Sequence, residues 1–186
     1  MRPEVLIVGS GRSGTSTAAR ICHEKLGICM GRFFKAPDEA NPQGYYEDYV
    51  SHGLVRSMVA GVLDPYTYIE IMSEVVKIGL PTLTPKWGAK DPWFLQVKPA
   101  WWKNLEPRLG IICARDVIAV TESWCRLQKL MGRKVEQSMW DGYYELTRTR
   151  YEACDALKLV WDNVLVLDFN EERTDEWVES AIKERL

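Results

Sequence analysis

Residues 5–22 read VLIVGSGRSGTSTAARIC, and this stretch decides the fold. The apolar run at 5–8 is typical of a strand buried on both faces of a parallel sheet. A glycine-rich segment at 9–16 follows directly, and the pattern predicts a helix over 15–26 that stops at Gly27. A strand, a glycine-rich turn and a helix in this order direct free backbone N–H groups and a helix N-terminus at a phosphate group.

The rest of the chain alternates between apolar strand-like runs and amphipathic helical patterns. Further strands are predicted at 87–90, 109–114 and 164–167, with helices at 49–63, 66–78, 117–131, 138–159 and 174–186. The segment at 93–105 is predicted to be helical in part, with Pro99 as an interruption. The run at 28–34 predicts a short strand or an extended loop, and 81–85 predicts a loop. This alternation predicts a three-layer α/β/α fold with a central parallel sheet of about four to five strands.

The bulk properties narrow the class of protein. A length of 186 residues predicts one domain covering 1–186, and a net charge of −2 gives no general attraction to nucleic acid or membranes. No apolar run is long enough for a membrane span, and no signal peptide is recognisable. Five cysteines without a C-x-x-C pair predict reduced thiols, so we expect a cytoplasmic protein. From the net charge and the lack of a long apolar run we expect no nucleic-acid or membrane partner.

Three charged or glycine residues follow apolar strands. Gly9, Lys90 and Arg115 each come at the carboxyl end of a predicted strand. Ligands bind parallel α/β sheets beyond these ends, so we expect all three to meet in one crevice. Asp116, directly after Arg115, is the predicted N-cap of the following helix, and Asp91 is expected to act as a cap or an ion-pair partner.

The glycine-rich loop by itself fits more than one nucleotide-binding pattern. Gly9, Gly11 and Gly14 match the G-x-G-x-x-G pattern of dinucleotide-binding proteins. Gly9 and Gly14 also match the phosphate loop of nucleoside-triphosphate enzymes, although Thr15 stands where that loop carries its lysine.

Four segments in this order resemble bacterial sulfotransferases that use 3′-phosphoadenosine 5′-phosphosulfate (PAPS). They are RSGTS at 12–16, NPQGYYE at 41–47, KDP at 90–92, and Arg115-Asp116 followed by Ser123. The resemblance covers about residues 5–124 and implies the architecture of P-loop sulfotransferases. It implies that 5′-phosphosulfate contacts come from the loop and 3′-phosphate contacts from β-strand and helix residues further on. The implied donor-binding residues are Gly11, Arg12, Ser13, Gly14, Thr15, Ser16, Arg115 and Ser123.

Transfer of a sulfuryl group requires positively charged side chains in fixed positions and a base. Negative charge develops on the oxygen that leaves the donor, and Arg12 and Lys90 are the cations expected to stabilise it. The acceptor hydroxyl or amine must lose a proton, for which Glu47 is the first candidate base and His52 the second. The donor is already activated by its phosphate and the sequence has no metal-ligand spacing, so we expect no metal. The acceptor is expected to be a small molecule or a carbohydrate.

Other functions stay open at this stage. A phosphoryl-transfer enzyme would use Asp168 as the nearest candidate magnesium ligand. An NADP-dependent oxidoreductase would use Arg32 to bind the 2′-phosphate. A nucleotide-binding module without catalytic activity is the alternative from a different class.

Overall fold

A four-stranded parallel sheet forms the centre of the computed structural model, which describes residues 2–39, 41–78, 86–171 and 173–186. Its strands are β1 (Val5–Gly9), β2 (Gly88–Lys90), β3 (Leu109–Ala114) and β4 (Val164–Asp168). Within these ranges the spatial order is β2-β1-β3-β4, and every neighbouring pair is parallel. The predicted α/β class and strand number are therefore confirmed. The loop predicted at 81–85 lies outside the described residues.

The described residues form six α-helices, which lie close to the predicted positions. They are α1 (Thr15–Glu24), α2 (Tyr49–Val59), α3 (Pro65–Val75), α4 (Val117–Leu130), α5 (Gln137–Leu157) and α6 (Asp175–Lys183). Two short 3₁₀ helices, Pro92–Gln96 and Pro99–Leu105, occupy the region predicted to be partly helical. The predicted cap at α4 is confirmed, because the carboxylate of Asp116 accepts the N–H of Ala119 at 2.9 Å.

The helices cover both faces of the sheet, as the alternation of β1 requires. Leu6 and Val8 point into a core shared with α2, α3, α5 and the 3₁₀ helices. Val5 and Ile7 point into a second core shared with α1 and α6. All five residues of β1 are buried, which explains why this strand reads as one continuous apolar run. The result is the expected three-layer α/β/α arrangement.

The segment at 28–34 is an extended loop in which Cys29 forms a single parallel bridge with Trp87. None of the five cysteines forms a disulfide bond. In the described part of the chain, no helix combines the length and the apolar character needed to cross a membrane.

Candidate functional site

A cleft of about 400 Å³ lies at the carboxyl edge of the sheet, where the loop after β1 meets the ends of β2 and β3. The chain leaves β1 towards β2 and then crosses back over β1 to reach β3. This reversal makes a topological switch point, the place where open α/β sheets bind their ligands. The order of the strands thus explains why the cleft lies here.

Nine of the ten predicted site residues line this cleft, and so does the alternative base His52. The nine are Gly11, Arg12, Gly14, Thr15, Ser16, Glu47, Lys90, Arg115 and Ser123. They come from segments more than a hundred residues apart in sequence. Of the three strand-end residues expected to meet, Lys90 and Arg115 line the cleft, whereas Gly9 does not and only the loop that follows it does.

Ser13 is the exception, because it does not line the cleft in which the donor is expected to bind. Its side chain is fully buried, and its hydroxyl donates to the carbonyl oxygen of Ser10 at 2.6 Å. Its backbone N–H donates to the same oxygen at 3.2 Å. Both donors of Ser13 therefore close the turn after β1, and neither is directed into the cleft.

The glycines of the loop are required by close packing and by backbone conformation. Gly14 has φ +94°, and a Cβ at this position would lie 2.5 Å from the ring of Phe169. A Cβ on Gly11 would lie 2.5 Å from the indole of Trp124. Helix α1 begins directly afterwards at Thr15, so the N–H groups of its first turn lack intrahelical acceptors. The loop is thus shaped for an anion at a helix N-terminus.

Lys90 and Glu47 form an ion pair at the centre of the cleft. The Lys90 Nζ donates to Glu47 Oε1 at 2.5 Å, and the two side chains are 3% and 22% exposed. Nζ also donates to the carbonyl oxygen of Tyr45 at 3.1 Å and to the hydroxyl of Ser16 at 3.4 Å. One lysine therefore connects the end of β2, the segment at 41–47 and the first turn of α1.

Asp48 holds the segment that carries Glu47, a role that the sequence analysis did not assign. Its Oδ2 accepts the backbone N–H groups of Arg32 and Phe33, each at 2.7 Å. Its Oδ1 accepts the N–H groups of Val50 and Ser51 and so caps α2. A buried carboxylate with four backbone donors fixes the position of the preceding residue in the cleft.

Arg12 and Ser123 connect the loop to helix α4. The Arg12 Nε donates to the hydroxyl oxygen of Ser123 at 3.1 Å. Arg12 adopts φ +74°, a left-handed conformation that a side-chain-bearing residue rarely takes outside functional sites. Arg115 lines the same cleft, and its backbone N–H donates to the hydroxyl of Tyr151 at 3.0 Å. Two arginines and a serine hydroxyl thus line the same cleft.

His52 and Asp91 form a second polar pair beside Glu47. The Nδ1 of His52 lies 2.7 Å from Oδ2 of Asp91, whose other oxygen accepts the N–H of Trp93 at 2.8 Å. Asp91 therefore acts as both a cap and an ion-pair partner, as expected. The hydrogen bond to Asp91 raises the pKa of His52 above its usual value of 6.5. A carboxylate on one ring nitrogen leaves the other available for a proton transfer.

Arg150 of helix α5 is a cleft residue that the sequence analysis missed. It is only 8% exposed, and its Nε finds no hydrogen-bond partner among the described residues. Burial lowers the pKa of its guanidinium. The signal was present in the sequence, since the buried positions Thr147, Cys154 and Leu157 share a helical face with Arg150.

The cleft is strongly basic although the chain as a whole is slightly acidic. Within the described residues, its lining contains five lysine or arginine side chains, one histidine and a single carboxylate, that of Glu47. The lysines and arginines are Arg12, Lys35, Lys90, Arg115 and Arg150. With a net charge of −2 on the protein, this concentration of cations makes the cleft electrostatically favourable for anions.

Residues named for the other nucleotide functions lie elsewhere. Neither Asp168 nor Arg32 lines the cleft, and Arg32 donates to the carbonyl oxygen of Val76 at 3.4 Å. Asp168 ends β4, which β3 separates from β1 and its loop. Among the described residues, no group of three or more His, Cys, Asp or Glu side chains has an arrangement that could hold a metal ion.

Comparison with known proteins gives a match in fold. No protein-family model matches the sequence. No curated protein matches it either. Among solved structures, the chain is similar to the crystal structure of a "putative kinase" from Chloroflexus aurantiacus, with a TM-score of 0.52 and 12% sequence identity. The alignment covers 100% of both chains. At this identity the similarity shows a shared α/β fold.

Proposed function

We propose that this protein is a sulfotransferase that moves a sulfuryl group from PAPS to a hydroxyl or amine of a small-molecule or carbohydrate acceptor. The observation that carries the proposal is the convergence of four sequence segments on one basic cleft. Those segments are the ones that resemble PAPS-dependent enzymes. A fold-level likeness alone would not specify a reaction, because one fold serves many chemistries.

The hydrogen-bond donors of the cleft suit a nucleotide that carries phosphate groups at both the 3′ and the 5′ position of its ribose. Thr15, Ser16 and the free N–H groups of the first turn of α1 would bind the 5′-phosphosulfate. Arg115 and Ser123 would bind the 3′-phosphate, since a guanidinium and a hydroxyl are strong donors to phosphate oxygens. The excess of basic side chains in the cleft fits the negative charge of such a ligand.

The transfer forms a bond between sulfur and the acceptor oxygen and breaks the bond between sulfur and the phosphate oxygen. Lys90 would hydrogen-bond to the leaving oxygen, and Arg12 would add positive charge near it. Glu47 would take the proton from the acceptor. In the free protein Glu47 and Lys90 are bound to each other, which keeps the base and the leaving-group cation within the same few ångströms.

His52 is the alternative base. Its hydrogen bond to Asp91 fixes the orientation of the imidazole ring beside Glu47 in the cleft lining. A general base must be unprotonated to accept a proton. Because the pKa of His52 is raised, His52 would act as the base only at a pH above that raised pKa. The pH dependence of turnover in a Glu47→Gln variant would distinguish the two bases.

A kinase-like phosphoryl transfer is the second candidate, since the similar solved structure carries that description. Two features count against it. Thr15 replaces the lysine that a nucleoside-triphosphate loop uses, and Asp168 is not among the residues that line the cleft. Either function makes the protein a transferase, and the two differ in the donor that they bind.

Thermal-shift titration with four ligands tests the proposal. The ligands are 3′-phosphoadenosine 5′-phosphate (PAP), NADPH, NAD and ATP with magnesium. A ligand present at a hundred times its dissociation constant stabilises the folded state by about 2.7 kcal/mol. We expect PAP to give this shift and Arg115→Ala to abolish most of it. Stabilisation by ATP with magnesium, or by NADPH, in place of PAP would overturn the proposal.

A further inference from the structure

The guanidinium of Arg150 has a buried donor, Nε, without a hydrogen-bond partner among the described residues. The residue is 8% exposed and lines the cleft. A buried charge is costly unless an opposite charge and hydrogen bonds compensate it. A guanidinium left in this condition at a cleft wall is therefore expected to meet a ligand.

The carboxylates that interact with Arg150 are already engaged with other cations. They are Asp91 and Glu47. Asp91 binds His52 and the N–H of Trp93, while Glu47 binds Lys90. Arg150 is therefore within electrostatic reach of Glu47, the first candidate base, and of Asp91, the partner of the second.

The anionic groups of the donor have other partners in the cleft. The proposed 3′-phosphate contacts are Arg115 and Ser123, and the proposed 5′ contacts come from the loop, α1 and Lys90. Arg150 comes from a different element, α5, which packs against the 3₁₀ helix Pro92–Gln96. That 3₁₀ helix contributes Trp93 to the cleft wall, an aromatic surface suited to a ring.

We propose that Arg150 binds an anionic group of the acceptor, so that the natural acceptor is a hydroxyl-bearing or amine-bearing ring compound with a carboxylate, sulfate or phosphate. This inference rests on the proposed sulfotransferase function and specifies its substrate class. Arg150 is a binding residue here, because its guanidinium would contact the acceptor directly. A planar guanidinium matches all three groups through paired hydrogen bonds.

Inorganic sulfate titrated onto the PAPS complex tests the assignment. PAPS occupies the sites for its own phosphates and sulfuryl group. Binding of an additional sulfate ion therefore detects any anion site that remains. The melting temperature is measured at each sulfate concentration and compared with the melting temperature in sodium chloride of equal ionic strength. The variants are Arg150→Gln and Arg150→Lys, with Arg148→Gln as the control. Arg148 lies on the same helix, but its side chain is 50% exposed and paired with Glu145 and Glu152.

We expect sulfate to stabilise the wild type and the Arg148→Gln control beyond the effect of chloride. Arg150→Gln should weaken sulfate binding about tenfold or more, as for a hydrogen bond to a charged group, and Arg150→Lys should restore part of it. Affinities for PAP and PAPS should stay within about threefold of wild type, since Arg150 is not among their proposed contacts. The unliganded Arg150→Gln protein should melt at the same or a higher temperature, because the substitution removes a buried charge whose Nε has no hydrogen-bond partner among the described residues.

Four results would overturn the inference. Sulfate without effect on the wild-type complex would mean that there is no further anion site. A loss of PAPS affinity without a loss of PAP affinity in Arg150→Gln would assign Arg150 to the transferring sulfonate. An equal loss for both would assign it to the nucleotide, and a lower melting temperature without ligand would assign it a structural role.

Failure of the proposed function gives a different result. In that case neither PAP nor PAPS binds the wild type, and sulfate is titrated onto the free protein. A sulfate response that depends on Arg150 would then support an anion site in a protein that is not a sulfotransferase. A sulfate response independent of Arg150 would overturn both.

Discussion

Glu47→Gln removes the negative charge that faces Lys90, and the cost follows from the burial of the pair. The side chain of Lys90 is 3% exposed and that of Glu47 is 22% exposed. Breaking a buried ion pair by removing one partner costs about 3–5 kcal/mol. Lys90 would keep two acceptors, the carbonyl of Tyr45 and the hydroxyl of Ser16. We therefore expect a smaller loss, about 2 kcal/mol of unfolding free energy.

The same variant should bind PAP at least as tightly as the wild type. The phosphate groups supply the negative charge that the substitution removes, so the ligand and Glu47 compete for Lys90. The difference in unfolding free energy between variant and wild type should accordingly shrink when PAP is saturating. Turnover should fall by about 10²–10⁴-fold if Glu47 is the base.

Urea denaturation with and without PAP measures these stabilities, and transfer of labelled sulfuryl groups from PAPS measures turnover. Glu74→Gln is the matched control, because Glu74 pairs with Lys77 at 2.6 Å but is 73% exposed. An exposed pair contributes little, so this control should unfold like the wild type. A Glu47→Gln protein as stable as the wild type, or one with weakened PAP binding, would refute the account of the pair.

Three further measurements test particular side chains. NMR titration of the two histidines should give a pKa above 6.5 for His52, which Asp91 stabilises in its charged form, and a pKa below 6.5 for His23, where burial dominates. The folded protein holds the proton of His52 more tightly than the unfolded chain does. His52 therefore contributes stability below pH 6.5, and this contribution is lost as the pH rises through its folded-state pKa. Above that pKa the unfolding free energies of wild type and His52→Gln should converge. Asp91→Asn should lower the higher of the two histidine pKa values in the NMR titration. Gly14→Ala should cost about 1–3 kcal/mol and abolish stabilisation by PAP, whereas Gly132→Ala, with φ +74° and open space around it, should cost less and leave PAP binding intact.

The convergence of the cleft residues was predictable from the strand pattern. Each apolar run ended at Gly9, Lys90 or Arg115, and parallel strands present their carboxyl ends at one edge. The one further requirement is that β1, β2 and β3 are neighbours in the sheet, as they are in the structure. The loop composition predicted a phosphate site for the same local reason, since the turn and the start of α1 are adjacent in sequence.

Side-chain direction could not be predicted in the same way. Ser13 is one of several hydroxyl residues in the loop, and the sequence does not indicate that it turns inward to the carbonyl of Ser10. Asp48 directly precedes a predicted helix, but its bonds to the N–H groups of Arg32 and Phe33 depend on the path of another loop. Arg150 lies on the buried face of α5, yet its place in the cleft depends on how α5 packs against the sheet.

The most direct test of the central claim compares the binding of PAP and 5′-AMP by calorimetry. The two ligands differ only in the 3′-phosphate, which Arg115 and Ser123 are proposed to bind. Charged hydrogen bonds of this kind contribute about 1.5–3 kcal/mol, so PAP should bind about 10–100-fold more tightly. Arg115→Gln should remove most of that preference and leave AMP binding unchanged. Equal affinity of the wild type for PAP and AMP would contradict a PAPS-dependent function.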